Sequence, residues 1–105
     1  MRVTITARHI EIPDTLEEML VAKLEKLERF GHKLIGLHAI FGREHYLYTA
    51  ELNLSAKGLT LVGKAKDERD LLTCMEAALM KLKEQLRRRE SKRLGRLRRQ
   101  ARQMQ

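Results

Sequence analysis

The sequence has little of the residue types that carry chemistry or constrain a chain. Among 105 residues there is no tryptophan, one proline, one cysteine, two phenylalanines and two tyrosines. A single cysteine excludes an intramolecular disulfide. Cys74 stands among Leu71, Leu72, Met75 and Ala78, the surroundings of a buried helical thiol and not of a reactive one. Phe30, Phe41, Tyr46 and Tyr48 do not make the paired stacking motif of an RNA-recognition sheet, and the tyrosines read as strand packing. No apolar run approaches the roughly 20 residues of a membrane span. The N-terminal MRVTITARHIEIP alternates where a signal peptide would carry an apolar block, so a soluble cytoplasmic protein is expected.

Catalytic templates are missing as well. The histidines at 9, 32, 38 and 45 include no pair at metal-ligand spacing backed by cysteine or carboxylate. The glycines at 31, 36, 42, 58, 63 and 95 form no phosphate-cradling loop ahead of a helix. Gly63-Lys64 lacks the upstream glycine and trailing hydroxyl of a P-loop. Ser55 and Ser91 have no evident base beside them. The chain is expected to be no enzyme and to use no metal or cofactor.

What is present is charge, unevenly placed. The net charge is +8, from 22 cations and 14 anions. Residues 1–86 hold 13 of each sign, whereas residues 87–105 hold nine cations and one anion, Glu90. A neutral body with a basic tail points to a polyanionic partner, nucleic acid or an anionic membrane face, more than to a small-molecule substrate. The length suits one domain of about 100–150 residues. A folded unit over residues 1–89 and a basic tail over 90–105 are expected.

Local patterns predict the elements. From Arg2 to His9, Val3, Ile5 and Ala7 alternate with polar residues, the period of a half-buried strand. Pro13 and an Asp14/Glu17 capping box open a helix running to about residue 30. Leu16, Met19, Leu20, Leu24 and Leu27 form its inward stripe, with Gly31 as C-cap. Leu34–Phe41, Tyr46–Ser55 and Leu59–Ala65 read as a strand meander, turning at Arg43-Glu44-His45 and Ala56-Lys57-Gly58. In the middle strand Tyr46, Tyr48, Ala50, Leu52 and Leu54 share the packed face, opposite a mostly wet one. Asp70 caps a second helix with Leu72, Met75, Leu79, Leu82 and Leu86 at spacings of three and four. Leu94, Leu97 and Ala101 keep that phase into the tail, where Gly95 and like-charge repulsion weaken the helix. The fold class is α+β: β-α-β-β-β-α, with two helices on one face of a four-stranded sheet.

Charge geometry on the first helix adds a functional signal. At about 100° per residue from Lys23 as zero, Lys26 falls near −60° and Arg29 near −120°. Glu17, Glu18, Glu25 and Glu28 cluster between about 120° and 220°, with the leucines between the two sets. Lys81, Lys83, Arg87 and Arg88 of the second helix extend the same basic surface if the helices pack side by side. A cationic rim of this kind suits the phosphate backbone of a folded RNA and reads shape in preference to bases.

ITARHIEI, VAKLEKLERF, GLHAIF, YLYTAELNL and the closing KLKEQLRRR resemble the ribosome hibernation promoting factor and ribosome-associated inhibitor family, also called sigma-54 modulation proteins. The resemblance covers about residues 1–90 and is of the short form. It implies a shape similar to double-stranded RNA-binding domains. It also implies a factor that binds the small ribosomal subunit and its RNA in the messenger and transfer RNA channel and silences idle ribosomes by steric occlusion; a monomer off the ribosome is expected. By motif match the RNA contacts implied are Lys23, Lys26 and Arg29, then Lys81, Arg87 and Arg88. Lys66, Arg89 and Lys92 complete the candidate set. Where the family has Glu-Arg after KL, this chain has Lys83-Glu84, which moves a cation about 100° around the helix. Two other functions fit the residues: a generic structured-RNA binder, and a protein-binding regulator of an alternative sigma factor.

Overall fold

The computed structural model describes residues 1–29 and 33–103, with side chains through Arg89. Its elements are β1 (Arg2–Arg8), α1 (Asp14–Arg29), β2 (Leu34–Glu44), β3 (Leu47–Ala56), β4 (Leu59–Asp67) and α2 (Leu71–Gln103). The predicted order β-α-β-β-β-α is the observed one. The strands form one mixed sheet in the order β1-β2-β3-β4, with β1 and β2 parallel and the other neighbours antiparallel. A parallel pair needs a crossover, and α1 supplies it.

Alternation decides which face of the sheet is covered. Leu37, Ala39 and Phe41 of β2, Ala50, Leu52 and Leu54 of β3 and Leu61 of β4 are buried. They share one core with Leu16, Leu20, Leu24 and Leu27 of α1 and Met75, Ala78, Leu79 and Leu82 of α2. Both helices therefore lie on the same face. Each fully buried leucine, phenylalanine or methionine contributes at most about 1.5–3 kcal/mol. Met19 departs from the expected inward stripe and is exposed. It falls about 40° to the cationic side of Lys23, outside the arc that the buried leucines occupy.

The element ends show which local signals acted. α1 starts on the Pro13 carbonyl, which accepts from Leu16 N at 3.0 Å and Glu17 N at 3.4 Å, in place of the expected Asp14 capping box. Its expected end at Phe30 and Gly31 lies outside the described residues. Asp70 caps α2 as predicted, its Oδ1 accepting from Thr73 N at 2.6 Å. That backbone N–H holds the Asp70 carboxyl below the usual carboxylate range. The first hairpin turn falls later than predicted. β2 continues through Arg43 and Glu44, which pair with Tyr48 and Leu47, and His45-Tyr46 makes the turn with His45 at φ 56°. Arg43 lies 5.1 Å from the centroid of the Tyr48 ring, so polar residues that read as a loop are held in the sheet. Tyr46 is consequently exposed and not a strand residue. In the second hairpin Gly58 takes φ 79°, which its lack of a Cβ permits.

Cys74 lies in the core, completely shielded. Its Sγ lies 3.2 Å from the Ala65 carbonyl and 3.4 Å from that of Tyr48. Burial pushes the thiol up to about 11. No helix of the described residues is long and apolar enough to cross a membrane.

Candidate nucleic-acid interface

α1 and α2 lie next to each other, and one ion pair marks the seam. Lys23 Nζ is 3.8 Å from Glu76 Oε1. The sequence fixes why Lys23 is there. It sits on the arc beside Leu16, Leu20, Leu24 and Leu27, so burying the leucines leaves its ammonium at the edge of the covered face. Lys26 and Arg29 follow at steps of three residues, each rotated about 60° further outward, so the cations wind from the α2 side over the exposed crown of α1. Both are exposed. On the far side Asp14, Glu17, Glu18 and Glu25 surround a shallow surface dip with Val21 and Ala22. The expected division of α1 into a cationic and an acidic flank is present.

α2 splits its cations between two sides. Glu76, Met80, Lys83 and Arg87 recur at spacings of four, three and four, which puts them on one stripe, and the Glu76–Lys23 pair turns that stripe toward α1. Lys81, Gln85 and Arg88 form another stripe about 110–170° away. Gln85 Nε2 donates to the Val62 carbonyl at 2.9 Å, and Lys81 Nζ donates to the Lys64 carbonyl. These are outward carbonyls of β4, an edge strand whose open side needs partners. The predicted single surface of Lys81, Lys83, Arg87 and Arg88 is therefore corrected. Lys83 and Arg87 face the α1 side, whereas Lys81 and Arg88 lie on the β4 side.

Lys66 is also separated from the helices. Along β4, Leu61 and Gly63 are buried on the helix side, so Lys64 and Lys66 project from the opposite, open face. Lys66 Nζ is 3.7 Å from Glu44 Oε2 there. Arg89 is exposed one turn past Leu86, in phase with the buried stripe where the core ends. The side chain of Lys92 lies outside the described residues. The structure thus turns Lys83 and Arg87 of α2 toward the side on which Lys23 of α1 meets Glu76, with Lys26 and Arg29 winding over the crown of α1. The motif match ranks Lys81 above Lys83. No spacing in the sequence ranks them, because only the Lys23–Glu76 pair shows which stripe of α2 meets α1.

The seam carries charge without a catalytic constellation. No group of three His, Cys, Asp or Glu side chains among the described residues could hold a metal ion. Lysine and arginine at a wet helix surface can neutralise phosphates, release counterions and position a polyanion.

A model of the family described as Sigma 54 modulation protein / S30EA ribosomal protein matches residues 3–94. The ribosome hibernation promoting factor of Escherichia coli strain K12 is 26% identical over 86 residues, which cover 82% of this chain and 90% of that protein. The factor of the same name from Shigella flexneri matches to the same extent. Among solved structures, a ribosomal subunit interface protein from Coxiella burnetii is similar with a TM-score of 0.76 at 20% identity, over 87% of this chain and 99% of that one. The N-terminal domain of Protein Y from Thermus thermophilus is similar with a TM-score of 0.72 at 21% identity, over 84% and 98% of the two chains. At that identity the two structures show a shared fold.

Proposed function

The chain belongs to the Sigma 54 modulation protein / S30EA ribosomal protein family, and on that premise we propose that it is a ribosome hibernation factor. It binds the small ribosomal subunit in the messenger and transfer RNA channel and inhibits translation by occupying that space. The observation that carries this reading is the cationic seam: Lys23 and Lys26 on the flank of α1 that faces α2, and Lys83 and Arg87 on the stripe of α2 that faces α1, on the side of the molecule away from the sheet. A convex helical surface with cations on both sides of a seam engages the backbone of folded RNA, and it needs neither cofactor nor chemistry. Arg29 extends the contact over α1. Residues 90–105 act as a basic tail that adds affinity of low specificity, and the protein is cytoplasmic and monomeric off the ribosome.

Co-sedimentation with separated small and large subunits across a salt series tests this. Saturable binding near one copy per small subunit, lost steeply with salt and competed by messenger plus transfer RNA, is the expected result. Equal, unsaturable binding to both subunits would replace the reading with that of a generic structured-RNA binder. Binding of shallow salt dependence to a sigma factor, unaffected by loss of Lys23, Lys26 and Arg29, would replace it with that of a protein-directed regulator.

A further inference from the structure

The face of the sheet opposite the helices has its own organisation. The strand register lines up Arg8, Gly42, Thr49 and Lys66 across all four strands, and Thr6, Ile40, Glu51 and Lys64 in the next row. In the first row the two central positions are a glycine and a threonine. Gly42 is fitted there closely: a Cβ would lie 3.0 Å from Thr49 Oγ1 and 3.3 Å from the Arg8 carbonyl. The row is therefore a trough with a low floor, walled by Arg8 on β1 and by Lys64 and Lys66 on β4.

Its charge is cationic in net. The two carboxylates that border it are already engaged, Glu51 with Lys64 at 3.2 Å and Glu44 with Lys66 at 3.7 Å. Asn53 Nδ2 donates a further bond to Glu51 at 3.1 Å, which together with Lys64 keeps that carboxyl ionised below its usual range. Lys64 and Lys66 nevertheless remain 72% and 63% exposed, with donors left for a ligand. Arg8 has no such short ion pair among the described residues.

We propose that this trough is a second nucleic-acid contact, which seats the sugar-phosphate backbone of a single strand between Arg8 and Lys66. Three strand spacings put those two Cα positions roughly 14 Å apart, too narrow for a duplex and wide enough for one strand. Lys64 and Lys66, two residues apart on an extended strand, are separated by about 6.6 Å, similar to successive phosphates along a chain. No phenylalanine, tyrosine or tryptophan stands in the two rows that form the trough, so the contact is made through the backbone and is indifferent to sequence. An acidic peptide would share the charge but not that regular spacing. The trough lies on the opposite side of the sheet from the α1–α2 seam, so the proposal does not rest on the ribosomal reading. Together the two faces would let one copy hold two nucleic-acid segments.

The test is a nitrogen-15 NMR titration of the full chain with an oligouridylate dodecamer, read at the amides of Gly42, Thr49 and Lys66. Those signals should shift saturably and recover as salt is raised, and oligothymidylate should act alike. Arg8→Ala with Lys66→Ala should weaken binding at these signals roughly five- to tenfold while the rest of the spectrum keeps its folded dispersion. Glu51→Gln should tighten it about twofold by releasing Lys64, a change of opposite sign that misfolding cannot imitate. Shifts confined to α1 and α2, or trough shifts unchanged in the double variant, would overturn the proposal. Poly-glutamate producing the same trough shifts at lower concentration would overturn it in favour of an acidic protein partner.

Discussion

Gly63 of β4 meets the backbone of Ala78 in α2: a Cβ on Gly63 would collide with the Ala78 carbonyl oxygen and lie 3.2 Å from Leu82 Cγ. The missing side chain sets how closely α2 lies on the sheet, and so where Lys83 and Arg87 stand relative to α1. Gly63→Ala is expected to destabilise by about 1–3 kcal/mol, because a backbone carbonyl cannot rotate away as a side chain could. Gly58→Ala, at a left-handed turn with open space around it, should cost about 1 kcal/mol and leave α2 in place. Urea denaturation of the two variants checks both magnitudes. A Gly63→Ala protein as stable as the parent would contradict the close approach.

On α1, Lys26→Ala with Arg29→Ala should leave the fold intact, since both side chains are exposed. Small-subunit affinity should fall, and the slope of log affinity against log salt should drop by about two for two lost phosphate contacts. Unchanged binding by a folded double variant would remove the crown of α1 from the interface.

The two sides of α2 make a sharper comparison. Lys83→Ala with Arg87→Ala removes cations from the α1 side, whereas Lys81→Ala with Arg88→Ala removes the same charge from the β4 side. The first pair should weaken subunit binding more than the second. The second should instead cost stability, because Lys81 covers the Lys64 carbonyl on the sheet edge. Matched co-sedimentation and thermal melts separate the effects, and equal losses of affinity would mean that position on α2 does not matter.

The tail is tested by deletion of residues 90–105. Affinity for the small subunit should fall, with a shallower salt dependence, yet saturable binding should persist through the seam. Complete loss would make the tail the principal contact.

Alkaline pH reports on Cys74. Its thiol rises from an ordinary 9.0 to about 11 through burial first, with Asp67 and Asp70 adding to the rise. An acid whose value is raised by folding contributes stability that is complete below its unfolded value and is lost as pH climbs through the folded one. Stability due to the neutral thiol should therefore decline from about pH 9 to about pH 11. The quantity to follow is the difference in urea midpoint between the parent and Cys74→Ala. That difference should narrow as pH rises, and a constant difference would show that the thiol does not ionise on unfolding. Alkylation of the native protein at mildly alkaline pH should be slow and become fast in urea.

The sequence by itself determined the element order, the covered face and the basic flank of α1. These are local or periodic properties: alternation in β3 buries Ala50, Leu52 and Leu54 together, and the leucine spacing of α1 forces Lys23 to the edge of the buried arc. It also carried the Asp70 cap, since a side chain and an amide three residues apart need no tertiary partner. Tertiary structure decided what depends on a distant neighbour. Arg43 and Glu44 extend β2 because Tyr48 and Leu47 lie across from them. α2 has cations around much of its circumference, so periodicity could not say which side meets α1; the Lys23–Glu76 pair and the β4 carbonyls under Lys81 and Gln85 did. Lys66 belongs to the open face for a similar reason. Whether a strand cation stands beside the helices or behind the sheet is set by a one-residue choice of register, and that choice is made by burial of Leu61 and Gly63 against α2.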